Sequence, residues 1–244
     1  PPNLQEAQLI PADGMLLLAA HVSRALTLTE WLDASILDES NPDVRDPELD
    51  LYNPGNPNQA PYSAEFQARY HAAQIARNRR ITAWVKSKLA ALREQGRPND
   101  EFAFTVHGTM AAPVWLDKSI DPNERKPNSC FLGDPQVVNN GPVGLARFTT
   151  LRSWLSQWSY DESNANGLLD AANMSLPTLL ISNGADDACT PSHARRLHDA
   201  IAHSNKKLVE IRGATHYYLG QREELREAVQ TCTQWLRDQG LTDV

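Results

Sequence analysis

Two loops of this 244-residue chain carry side chains suited to acid–base chemistry: "NGADDACTP", Asn183 to Pro191, and "GATHYYLG", Gly213 to Gly220. The second loop holds His216, and histidine is the side chain whose ordinary charge change lies near neutral pH. A carboxylate that accepts its Nδ1 proton fixes the tautomer and steadies the imidazolium, and the other ring nitrogen then serves as general base. Gly184, Asp187 and Pro191 are spaced as G-x-x-D-x-x-x-P, and Gly213 lies just ahead of His216. Asp187 is therefore the expected acid and His216 the expected base, with Asp186 as a rival acid of poorer spacing. Tyr217 beside the base, Trp154 and His21 are candidates for a substrate pocket. The histidines at 71, 107, 193, 198 and 203 read as structural or solvated. Cys189 reads as a small loop-filling side chain.

Both loops need strands that end side by side. "LPTLLISN" and "KKLVEIR" read as strands, joined by an amphipathic helix over "PSHARRLHDAIAHS". Strand, crossover helix and strand imply parallel pairing with a right-handed connection, which brings both loops to the carboxyl edge of the sheet. An earlier apolar run, Met15 to Ala20, is expected as a strand buried on both faces, with His21 at its site end. "REELREAVQTCTQWLRDQG" should close the fold as a helix burying Leu225, Ala228, Val229, Cys232, Trp235 and Leu236. From Ser63, a plausible N-cap, to Gly96, a plausible C-terminal stop, the pattern predicts one long helix. "EFAFTVHG" suggests a short strand. Phe148, Leu151, Trp154, Leu155 and Trp158 suggest a helix ending near Tyr160. The acidic stretch from Asp33 to Asp50 lacks the glycine and terminal Glu of an EF-hand loop and reads as a solvated face. The organisation expected is 1–26 as linker and first core strand, 27–147 as a cap or lid insertion, and 148–244 as carboxyl-terminal core.

On the two loops and their order, the chain resembles the α/β-hydrolase superfamily, over about Asp13 to His21 and from Leu151 onward. The resemblance implies an α/β fold, the carboxyl-terminal part of a mostly parallel hydrolase sheet with an inserted, mainly helical cap. It implies hydrolysis of a carboxylic ester or related acyl bond by a Ser-His-Asp triad, with Asp187 and His216 from this chain and no metal or organic cofactor. No G-x-S-x-G elbow, cysteine or aspartate version of it, or HGGG-type segment occurs in the sequence. The nucleophile and oxyanion hole are therefore expected from a separate amino-terminal chain of the same hydrolase, with "PPNLQEAQLIPADG" as the linker where the two were parted. An aspartate nucleophile would instead mean dehalogenase or epoxide hydrolase chemistry. Acyl transfer, or a non-catalytic module that binds a small molecule, are further readings.

Composition narrows the partners. The net charge is -7 and the basic residues are interleaved with acids, so no stripe suits nucleic acid. Three cysteines without CxxC spacing indicate reduced thiols, hence a cytoplasmic expectation. No run reaches bilayer length, so no membrane partner is expected.

Overall fold

Thr178–Asn183 is buried at all six positions, and a strand covered on both faces suits the interior of an α/β sheet. The computed structural model, which describes residues 6–242, places it there. In chain order the elements are β1 (Met15–Leu18), α1 (Arg24–Trp31), α2 (Ala64–Glu94), β2 (Ala103–Thr105), α3 (Pro113–Leu116), α4 (Pro135–Asn140), β3 (Phe148–Thr150) and α5 (Leu151–Ser153). A π-helical turn (Trp154–Trp158), α6 (Gly167–Ala171), β4 (Thr178–Asn183), α7 (Pro191–Ala200), β5 (Lys206–Ile211) and α8 (Arg222–Asp238) follow. The fold is α/β: β1, β4 and β5 form a parallel sheet in the order β1-β4-β5, and β2 pairs antiparallel with β3. Pro1 to Gln5 of the expected linker lie outside the described residues.

Alternation along β4 explains the layers. Leu179 and Ile181 pack with Trp235 and Ala228 of α8, whereas Leu180 faces Leu197 of α7 together with Val22 and Ile201. The predicted βαβ unit is thus present. Two expectations change at its margins. The first strand ends at Leu18, where Ala19 turns to a φ of 44°, and Leu18 is 53% exposed. It pairs with β4 on one side alone among the described residues, so it is not the doubly buried strand its apolar run suggested. On α8, Ala228 and Trp235 are buried, but Leu225 and Val229 of the expected inner face are exposed.

The long helix forms as its caps predict. Ser63 Oγ accepts from Phe66 N at 3.2 Å, and Gly96 beyond the end has a φ of 72°, where a side chain would be strained. Its first half packs Phe66 and Tyr70 against Leu49, Leu51 and Tyr62. Its second half packs Ile81, Val85 and Leu89 against Leu28, Leu32, Leu151 and Trp154.

The helix expected from Phe148 begins later. Phe148–Thr150 is a strand, consistent with the β-branched pair Thr149 and Thr150, and Thr150 then caps α5 by accepting from Ser153 N. The next turn widens to π geometry, closed by Ser159 N donating to Trp154 O at 2.9 Å. Trp154 has no exposure, and its Nε1 donates to Thr82 Oγ1 at 2.9 Å. It belongs to the core against α2, and its assignment to a substrate pocket is corrected.

In the acidic excursion Asp38, Asp43 and Glu48 are exposed as a solvated face requires, but Asp33 departs from it. Asp33 is buried, and its carboxylate accepts from Arg45 Nη1 at 2.7 Å, Asn139 Nδ2 at 2.8 Å and Ser35 Oγ at 2.6 Å. Beside it, the buried guanidinium of Arg77 donates to the carbonyls of Asp33, His107 and Gly108 and pairs with Glu39. Ionic groups packed this way need every lone pair and N–H matched, and here they lock an irregular chain onto α2. No helix among the described residues is long and apolar enough to cross a membrane.

Candidate active site

Loops leaving β1, β4 and β5 meet at the carboxyl edge of the parallel sheet. The β4 and β5 loops are tied through their backbones: Gly184 N donates to Ile211 O and Ala185 N to Ala214 O, both at 2.8 Å. Asn183 at the end of β4 donates from Nδ2 to Thr215 O at 2.9 Å and accepts from Tyr218 Oη at 2.5 Å. Gln221 Oε1 accepts from Thr215 N and Oγ1, and its Nε2 donates to Gly213 O. His216 therefore sits in a loop held at four points.

Asp186, and not Asp187, is its partner. The Asp186 carboxylate has no exposure and lies 2.9 Å (Oδ2) and 3.1 Å (Oδ1) from His216 Nδ1. Asp186 Oδ1 also accepts from Ala188 N and Cys189 N at 2.8 Å each. This local turn, in which an aspartate folds back on the two amides that follow it, aims Asp186 inward and leaves the next side chain pointing elsewhere. The G-x-x-D spacing that favoured Asp187 is corrected by that geometry.

The site's electrostatics follow from these contacts. Burial lowers the pKa of His216, but the hydrogen bond to Asp186 and the charges of Asp186 and Asp187 outweigh it, so the net direction is upward. Asp187 makes no contact with Nδ1. Its carboxyl is pushed up to about 6, first by burial and then by the Asp186 charge. His216 Nε2 has no hydrogen-bond partner among the described residues, so the nitrogen opposite the carboxylate is available for proton transfer.

His216, Asp187 and Tyr217 line an open cleft of about 720 Å³ together with Cys130, Phe131 and Glu124. Tyr217 is 65% exposed, and its ring centroid lies 4.5 Å from that of His216. Phe131 approaches both rings at 6.0 Å. His21 does not line this cleft. It is half-buried in the β1 loop, close enough to feel the His216 charge, with a pKa lowered first by burial and an Nδ1 that has no partner among the described residues.

Sequence spacing missed the groups that the excursion sends to this site. Trp115 Nε1 donates to Asp187 O at 2.6 Å, and Asn123 Nδ2 donates to Asp186 O at 2.7 Å. Glu124 N donates to Gly184 O at 2.9 Å, while its Oε2 accepts from Gly213 N at 2.5 Å. A Cβ on Gly184 would stand 2.6 Å from Glu124 Oε2 and 3.1 Å from Arg212 Cα, so glycine there permits the close approach. Nothing in the sequence marks residues 115 to 131 as neighbours of 184 to 216, because their relation is purely tertiary.

Asp186, Cys189 and His216 offer ligand atoms within 4.8 Å of one another. As a metal set they fit poorly. Asp186 Oδ1 is already engaged by two amides and the imidazole, and burial together with the Asp186 charge raises the Cys189 thiol well above its ordinary pKa, opposing the thiolate a metal needs.

No protein-family model matches this chain, and no curated protein matches it. Among solved structures it is similar to the structure of DcsB in complex with its substrate analogue, at 16% identity and a TM-score of 0.36, over 73% of this chain and 52% of that one. The chain thus spans about half the length of that relative.

Proposed function

We propose that this chain supplies the acid and base of a hydrolase acting on a carboxylic ester or related acyl bond. The observation that carries this reading is the buried Asp186 carboxylate, 2.9 Å from His216 Nδ1, at the carboxyl ends of two adjacent parallel strands. Asp186 orients His216 and stabilises it when protonated. Nε2 takes the proton of a nucleophile, which attacks the carbonyl, and returns that proton to the leaving group; water then releases the acid. The nucleophile and most oxyanion-hole amides come from an amino-terminal companion chain that adds to the sheet at β1, whose outer edge is unpaired among the described residues and whose Leu18 side chain is exposed. Glu124, Asn123 and Trp115 hold the excursion over the site as a cap, and Phe131 and Tyr217 offer an apolar wall to the substrate.

Treatment of the purified protein with a serine-directed phosphonate, followed by mass analysis of every chain present, tests this reading. Labelling of a companion chain, lost in His216→Ala, supports it. Hydrolysis without labelling, abolished in His216→Ala, would point to an aspartate nucleophile instead. Hydrolysis that survives His216→Ala removes the triad altogether.

A further inference from the structure

A second cleft, of about 300 Å³, opens between α1, α2 and the start of α7, and it shares no lining residue with the His216 cleft. Glu30 of α1 lines it. Among the described residues no hydrogen bond or ion pair reaches that carboxylate, and Glu30 is partly buried; burial raises its pKa, and the charges of His71 and Arg196 oppose the rise. A partly buried carboxylate without a partner has lost some of its hydration, which a cationic ligand group would replace.

The surrounding charges define what would complete it. Arg196 and His71 stand at the exposed rim, near enough to act on Glu30 electrostatically but not paired with it. The Arg196 guanidinium has no hydrogen-bond partner among the described residues either. Asp121, the other carboxylate in the wall, is already occupied by Ser192 N and Arg195 Nη2. Trp31 and Val114 supply an apolar side. An unpaired anion, an unpaired cation and an apolar wall lining one cleft are complementary to a small molecule that carries the opposite charges and an apolar part.

We infer that this cleft binds a small aliphatic amino acid, its ammonium against Glu30, its carboxylate against Arg196 and its side chain against Trp31 and Val114. Hydrogen bonds to ionised partners at both ends give the site its selectivity, because a ligand with one charge leaves either Glu30 or Arg196 unmatched.

Titration calorimetry on the protein as purified, with any copurifying chain retained, uses L-valine, isobutylamine and isobutyrate as probes. Saturable binding of L-valine is expected, at least tenfold tighter than isobutylamine, with no binding of isobutyrate. Glu30→Gln should weaken L-valine at least tenfold. Arg196→Gln, at an exposed position where folding is not at stake, should bring L-valine down to the affinity of isobutylamine and leave isobutylamine unchanged. Absence of L-valine binding at millimolar concentration, or binding that Arg196→Gln does not alter, overturns the inference. Because neither variant touches the His216 cleft, phosphonate labelling stays as in the unaltered protein, which separates this result from the fate of the triad.

Discussion

Asp186 Oδ2 lies 2.9 Å from His216 Nδ1, whereas Asp187, the next residue, faces the open cleft without touching that nitrogen. Two adjacent carboxylates therefore have separable parts in one site. Under the proposed reaction, Asp186→Asn keeps the shape but reverses the hydrogen-bonding sense at Nδ1, and a loss of about 10³–10⁴ in kcat is expected from the wrong tautomer. It should also lower the His216 pKa measured by NMR, moving the acid limb of the rate profile to lower pH. Asp187→Asn should reduce kcat less than about tenfold, the range of a general electrostatic contribution and not of a triad member. Equal losses in the two variants would refute the division.

Stability against pH gives Asp187 a signature of its own. Its carboxyl is held at about 6 in the fold, against an ordinary 3.8, by burial and the Asp186 charge. The native state then binds the proton more tightly than the unfolded chain. Stability from this group is present below the ordinary value and is lost as pH rises through about 6. Asp187→Asn should accordingly stabilise the protein by about 1–3 kcal/mol at pH 7.5 and have little effect below pH 3.8. Denaturant midpoints at the two pH values measure the difference.

The contrast between the two aspartates also shows what local pattern can carry. His216, the βαβ unit and the capped helix α2 were readable because each depends on short-range rules: an apolar run, a 3.6-residue period, a serine before and a glycine after. The choice between Asp186 and Asp187 depends on a turn in which Oδ1 folds back to Ala188 N and Cys189 N, and spacing alone does not encode that. Asp33 misled for the opposite reason. Acids in a Pro-rich stretch are usually solvated, and only the long-range partners Arg45 and Asn139 let this one be buried. Trp154 kept its helical spacing yet turned inward, where Thr82 offers its indole N–H an acceptor. The excursion's grip on the site, through Trp115, Asn123 and Glu124, had no local signal.

That grip can be loosened at one atom. Gly184→Ala would place a methyl 2.6 Å from Glu124 Oε2 and 3.1 Å from both Arg212 Cα and Gly213 N. The Glu124 carboxylate can swing away, but the backbone contacts cannot. Overpacking should cost about 1–3 kcal/mol and release the hydrogen bond from Gly213 N. Adding Glu124→Ala to Gly184→Ala should recover only part of that loss, since the Arg212 and Gly213 contacts remain. Full recovery in the double variant would show that the side chain alone was the obstacle. Thermal unfolding of the two single variants and the double variant closes the cycle.

Asn183 joins the β4 and β5 loops from the end of β4, and its partner Tyr218 adopts a φ of 53° while donating its hydroxyl to Asn183 Oδ1 at 2.5 Å. An aromatic residue in the left-handed region is strained, so the hydroxyl contact contributes to holding that conformation. Tyr218→Phe leaves a buried amide oxygen without its donor, at a cost of about 1–3 kcal/mol. The consequence should be local. Ala185 N, which donates to Ala214 O across the two loops, should exchange its amide proton faster, while amides in the middle of β4 keep their protection. Under the proposed reaction kcat should fall through a less well-held His216 with KM little changed, because Tyr218, unlike Tyr217, does not line the cleft. A uniform rise in exchange across β4 and β5 would instead mark Tyr218 as a general support of the fold.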